Sequence, residues 1–147
     1  MPPVLRNILA VIVGLAVGMA VNASIIEFNS RVLFPAPEGA DLNDMVQLRA
    51  YVETLPASAF LVVMLAHLGQ SFVGGWVAAR AGASRPRLLA LIIGAISLAG
   101  GIMMIMEIRG PSWFVVELPL YLVVAWLAGH LECRRRAALD TSSAAPS

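Results

Sequence analysis

Residues Leu88–Met106 read LLALIIGAISLAGGIMMIM, an uncharged run broken only by small residues. As an α-helix the run rises about 28 Å, close to the hydrocarbon thickness of a bilayer. Three further apolar stretches of comparable length flank it, at Val4–Ile26, Leu55–Ala79 and Ser112–Leu131. Four such stretches predict an all-α polytopic membrane protein, a compact bundle of four transmembrane helices forming one transmembrane domain over residues 1–147. Composition agrees: the chain is 59% hydrophobic and 13% charged, against roughly 25% charged in a soluble domain. A net charge of +1 leaves no basic surface for nucleic acid.

The spacers between these stretches alternate in charge. Arg6, Arg80, Arg85, Arg87 and Arg134–Arg136 fall on one side. The other side holds Arg31, Arg49 and Arg109 among Glu27, Glu38, Asp41, Asp44, Glu53 and Glu107. Positively charged loops stay in the cytoplasm, so both termini are expected there, with residues 132–147 as a cytoplasmic tail. Trp113 and Tyr51 suit the outer interface. An alternative reading takes the first stretch as a secretory signal cleaved near Val21-Asn22-Ala23. That stretch is long for a signal core, and its loss would reverse the side on which Arg134–Arg136 fall.

Small residues recur every four positions along the apolar stretches. Ala10, Gly14, Gly18 and Asn22 line the first, and His67, Ser71, Gly75 and Ala79 the second. Gly94, Ser97 and Gly101 line the third, and Ala125 and Gly129 the fourth. Lipid gives helices no hydrophobic reason to associate, so close approach over small side chains supplies it. Such stripes serve either as seams within the chain or as a face for a second copy or another membrane protein.

The outer spacer, Glu27–Thr54, contains Pro35-Ala36-Pro37-Glu38-Gly39-Ala40-Asp41, which reads as an extended turn. Asp41 is placed to cap a following helix and Asp44 to complement its dipole. Met45, Leu48, Val52 and Leu55 share one face, predicting a short amphipathic helix over Leu42–Thr54 that lies on the membrane or caps the bundle. Pro56 marks the bend into the second span.

Polar residues at depth are the candidates for chemistry. Counting from Pro56, His67 lies about 16 Å inward, with Gln70 and Ser71 just beyond. Glu117 lies roughly 8 Å inside the outer end of the fourth span. Asn22 and Glu27 end the first span, and Glu107, close in sequence to Arg109, ends the third. Ionisable groups in lipid are costly and face the interior or a wet cleft. Two readings follow. In one, His67, Gln70, Ser71, Glu117, Asn22 and Glu107 surround an outward-facing polar cavity. In the other, His67 and Glu117 form a buried clamp between helices. Pro119 either widens the cleft or kinks the fourth helix.

Other chemistries find no support. His67 and His130 lie at different depths without further ligands, which argues against zinc or haem. The glycine pairs Gly74-Gly75 and Gly100-Gly101 sit inside apolar helices and cradle no phosphate. No nucleophile elbow is present. The lone Cys133 excludes an internal disulfide and reads as an inert juxtamembrane thiol or a lipidation site. Neither a cofactor, a metal nor an enzymatic activity is expected.

Arg6-Asn7-Ile8-Leu9-Ala10, the Pro35–Asp41 loop, Leu65-Ala66-His67 and Pro111-Ser112-Trp113-Phe114 resemble a group of small four-span proteins of the bacterial inner membrane. The likeness covers most of Leu5–Gly129. It includes the acid at Glu117, where the group mostly carries aspartate, and departs from the group at Ala36, which interrupts consecutive prolines. It implies fold and location but no activity. Small multidrug transporters match in size, but their membrane-embedded glutamate lies in the first span, where this chain has no acid before Glu27. The sequence therefore predicts a non-enzymatic accessory or scaffold protein, with a small transporter or ligand-binding protein acting through His67 and Glu117 as the alternative. The expected partners are the lipid bilayer and either another copy or another membrane protein.

Overall fold

Residues 1–108 and 110–143 are described by a computed structural model of the chain. Its elements are α1 (Pro3–Phe28), α2 (Met45–Glu53), α3 (Ala57–Ala81), α4 (Pro86–Glu107) and α5 (Glu117–Ser143). A π-helical turn, Asn29–Leu33, extends α1, and a 3₁₀ turn, Ser112–Val116, leads into α5. α1, α3, α4 and α5 with their extensions are long and apolar enough to cross a membrane. They pack as an antiparallel bundle, and α3 touches each of the other three long helices. One end of the bundle carries residues 29–56 and is termed the loop end; the other is the arginine end.

Glycines set the helix contacts. The buried stripe of α1 is Ala10, Gly14 and Gly18, as its spacing predicts. A methyl group on Gly14 would stand 2.6 Å from the Gly74 carbonyl oxygen and 2.8 Å from Ala78 Cβ. On Gly18 it would stand 2.7 Å from the Gln70 carbonyl oxygen. α1 thus lies backbone to backbone against α3. On α3, Gly74 meets α1 while Gly75 faces Ala90 of α4, so the adjacent glycines serve two different seams. Gly94 fits against Ala125, and Gly101 against the ring of Tyr121. The stripes are therefore occupied inside this chain, which removes the spacing argument for a second copy.

Three local details differ from the sequence expectation. α2 is shorter than Leu42–Thr54, and Asp44 rather than Asp41 is its N-cap, accepting from the Val46 amide at 2.7 Å. Asp41 instead accepts from the Asn43 amide, 2.9 Å, in a turn of its own that uses up residues 41–44. The Val46 bond, then that from Gln47, holds the Asp44 carboxyl below the usual carboxylate range. Pro119 falls in the first turn of α5, where an absent N–H removes no intrahelical bond. The change from 3₁₀ to α geometry takes place just before it, so the proline accompanies a change of helix type. Pro56 sits at the N-cap of α3 with extended backbone, as expected of a bend.

α5 does not stop near Leu131 but runs through the expected tail to Ser143. Glu132, fully buried, accepts from Arg135 at 2.6 and 2.8 Å and from Arg136 at 3.0 Å, with Arg80 at 3.8 Å. Arg136 also donates to the carbonyls of Ala79 (2.6 Å) and Gly82 (2.9 Å). Arg6 donates to Ala81 O at 2.8 Å. These arginines close the last turn of α3, whose carbonyls have no helical partner. Glu107, at the other end, pairs with Arg49; the expected proximity to Arg109 lies outside the described residues.

Candidate functional site

The close seams lie in the middle and toward the arginine end. Above Gly18 on α1 and Gly101 on α4, the facing residues become larger: Ile26, Phe60, Val63, Met104 and Ile105. They hold the helices apart around a cavity of about 770 Å³ at the loop end. Leu48, Tyr51 and Val52 of α2, with Leu55, contribute to its lining, so α2 caps the bundle. The Tyr51 hydroxyl donates to Phe34 O, and Arg49 donates to Glu107 O at 2.8 Å and Glu107 Oε2 at 3.0 Å. α2 is thus tied to the bundle by a few side-chain bonds, two of them exposed and individually weak.

At the bottom of the cavity α3 and α5 meet through His67 and Glu117. His67 Nδ1 lies 3.3 Å from both carboxylate oxygens of Glu117. The Tyr121 hydroxyl, one turn on from Glu117, donates to Oε1 at 3.1 Å, and the Tyr121 ring stacks on His67 with centroids 6.2 Å apart. Glu117 is 1% exposed and His67 18%, so the histidine covers the acid. With Nδ1 donating to Glu117, Nε2 is an acceptor in the neutral ring and a donor in the charged one. Clamp and cavity are therefore parts of one arrangement: the bond that joins α3 to α5 also sets which nitrogen of His67 remains available.

Of the six polar candidates, Asn22, His67 and Glu117 line the cavity. Gln70 lies deeper, accepting from Asn22 Nδ2 at 2.7 Å. Ser71, buried, donates to Tyr121 O at 2.9 Å and ties α3 to α5. Glu107 stands at the bundle end, half exposed and paired with Arg49. These three hold helices rather than border the space. Gly14, Gly18, Gly75, Gly94 and Gly101 all occupy helix seams.

Sequence reasoning missed two members of the site. Asn29, in the π-helical turn, borders the cavity and is 3% exposed, and its side-chain oxygen has no hydrogen-bond partner. Nothing in the sequence marks that turn. Tyr121 was legible, since residues four apart share a helix face. Phe60 and Phe114 complete an aromatic wall, with ring centroids 5.6 Å apart, and Phe114 lies 6.3 Å from His67. Among the described residues no group of three or more His, Cys, Asp or Glu side chains is arranged to hold a metal.

No protein-family model, no curated protein and no solved structure matches this chain.

Proposed function

We propose that the protein is a non-enzymatic membrane protein that binds a small amphiphilic ligand in the loop-end cavity, with the loop end outside and both termini in the cytoplasm of a bacterium. The observation that carries this reading is the cavity itself. Ligand sites typically enclose about 300–1,000 Å³, mostly apolar with a few convergent polar groups. This one has about 770 Å³, walls of Ile26, Val52, Phe60, Val63, Ile105 and Phe114, and polar groups gathered at His67 and Glu117. A scaffold held only by its seams needs no such space. The distribution of arginines supports the orientation, and the resemblance to four-span inner-membrane proteins supports the location.

The test is native mass spectrometry of the protein extracted in mild detergent, beside Val63→Trp, which fills the cavity without touching the seams. The reading expects a small molecule on the wild type and its loss from a folded Val63→Trp. Equal small-molecule content in the two, or none on either, would refute it.

A further inference from the structure

Resting on that reading, we infer that the ligand is an amphiphilic amine, its ammonium group held at His67 in front of Glu117. His67 lines the cavity and covers the carboxylate, which is 1% exposed. With Nδ1 donating to Glu117, the neutral ring presents Nε2 as an acceptor. Glu117 receives two donors, from His67 and Tyr121, neither of them a permanent cation. An ammonium donating to Nε2 brings a positive charge one ring away from the acid; an alcohol brings none and a carboxylate brings the wrong sign.

Charge and aromatic surface favour the same class. Glu27 and Glu117 border the space, and among the described residues no arginine does. The loop end carries six carboxylates against three arginines in the sequence, a balance that draws cations toward the mouth. Phe60 and Phe114 supply ring faces beside His67, and a desolvated ammonium is attracted to such faces.

The test uses the full-length protein in phosphatidylcholine nanodiscs and reads binding by tryptophan fluorescence. The probes share one biphenyl-alkyl body ending in a primary ammonium, a trimethylammonium, a hydroxyl or a carboxylate group. The primary ammonium is expected to bind roughly tenfold or more tighter than the alcohol and the carboxylate. The trimethylammonium, which cannot donate, should fall below it. Glu117→Gln should abolish the preference of ammonium over alcohol, and the order of the four probes on the wild type decides the matter if that variant fails to fold. Alcohol or carboxylate binding as tight as the ammonium, sensitive to Val63→Trp, would overturn the amine assignment while leaving a ligand cavity. Binding of every probe unaffected by Val63→Trp, or no binding at all, would overturn both.

Discussion

Replacing Gly14 by alanine adds one methyl group to α1, and the structure specifies where it goes. The new carbon would lie 2.6 Å from Gly74 O and 2.8 Å from Ala78 Cβ. Carbon contacts are optimal near about 3.5–4.0 Å, so α1 would have to retreat by about 1 Å. A gap of that size forfeits up to about half of the dispersion energy of each contact along the seam. Neither neighbour can yield cheaply, since one is backbone and the other a Cβ. Overpacking at such sites costs about 1–3 kcal/mol, and the upper part of that range is expected here. Gly100→Ala is the matched control: the same substitution on α4, with nothing within 4 Å of the added carbon. It should change stability by less than about 1 kcal/mol and in the favourable direction, because alanine is the better helix former. Reversible unfolding in mixed micelles, followed by circular dichroism, compares the two. Equal stability of Gly14→Ala and Gly100→Ala would refute the intrachain seam. A change of oligomeric state at unchanged monomer stability would show that the stripe faces a second copy.

At the arginine end, Glu132→Ala and Arg136→Ala are each expected to cost about 2 kcal/mol, with the double variant well short of their sum, since both break one network; additive losses in the same unfolding assay would dissolve that network. Arg85, the N-cap of α4, has φ 50° and ψ 55°, a left-handed conformation that costs a non-glycine residue roughly 1–2 kcal/mol. Arg85→Gly should therefore raise the melting temperature, and a lowered one would mean that the arginine side chain outweighs the strain. The depressed carboxyl of Asp44 stabilises the start of α2 at any pH above the ordinary aspartate range, and that contribution fades as pH falls through the folded value below it. Hydrogen exchange at the Val46 amide should accordingly lose protection only in strong acid relative to its neighbours, whereas Asp44→Asn should show no such step. With Cys133 replaced by serine, Val63→Cys should react with a membrane-impermeant maleimide added to intact cells, and labelling only after the cytoplasmic side is opened would reverse the proposed orientation.

The four long helices were legible because continuous apolar length is a strong signal, and the seams because Gly14 and Gly18 repeat at helical spacing. Register between helices was not legible. Whether His67 meets Glu117 depends on how α3 and α5 rotate about their axes, and those rotations are set by Gly94 against Ala125 and Ser71 against Tyr121 O, contacts that join distant parts of the chain. The continuation of α5 was readable and overlooked: Glu132 has arginines three and four residues on, a spacing that favours helix. The polar floor of the cavity was legible in the depth of His67 and Glu117, but its size was not. The space exists because the residues of α1, α3 and α4 near the loop end are too large for the close approach that glycine permits elsewhere.

Two carboxylates on α5 are almost completely buried, Glu117 and Glu132, and the difference between them locates the site. They are fifteen residues apart, about four turns, and so lie near the same face, Glu117 at the start of the helix and Glu132 midway along it at the arginine end of the bundle. Glu132 is met by guanidinium groups from Arg135 and Arg136, with Arg80 close by. Its charge is matched and its oxygens are filled, so it has nothing left to offer a ligand. Glu117 is met by an imidazole and a phenol alone, at distances of 3.3 and 3.1 Å, beside a space large enough for a small molecule. Burying a carboxylate without a full cation is costly, and the pairing of Glu132 with Arg135 and Arg136 on the same helix avoids that cost. That the compensation is complete at one end and incomplete at the other, next to a cavity of about 770 Å³, is the physical argument for a cation bound at His67 in front of Glu117.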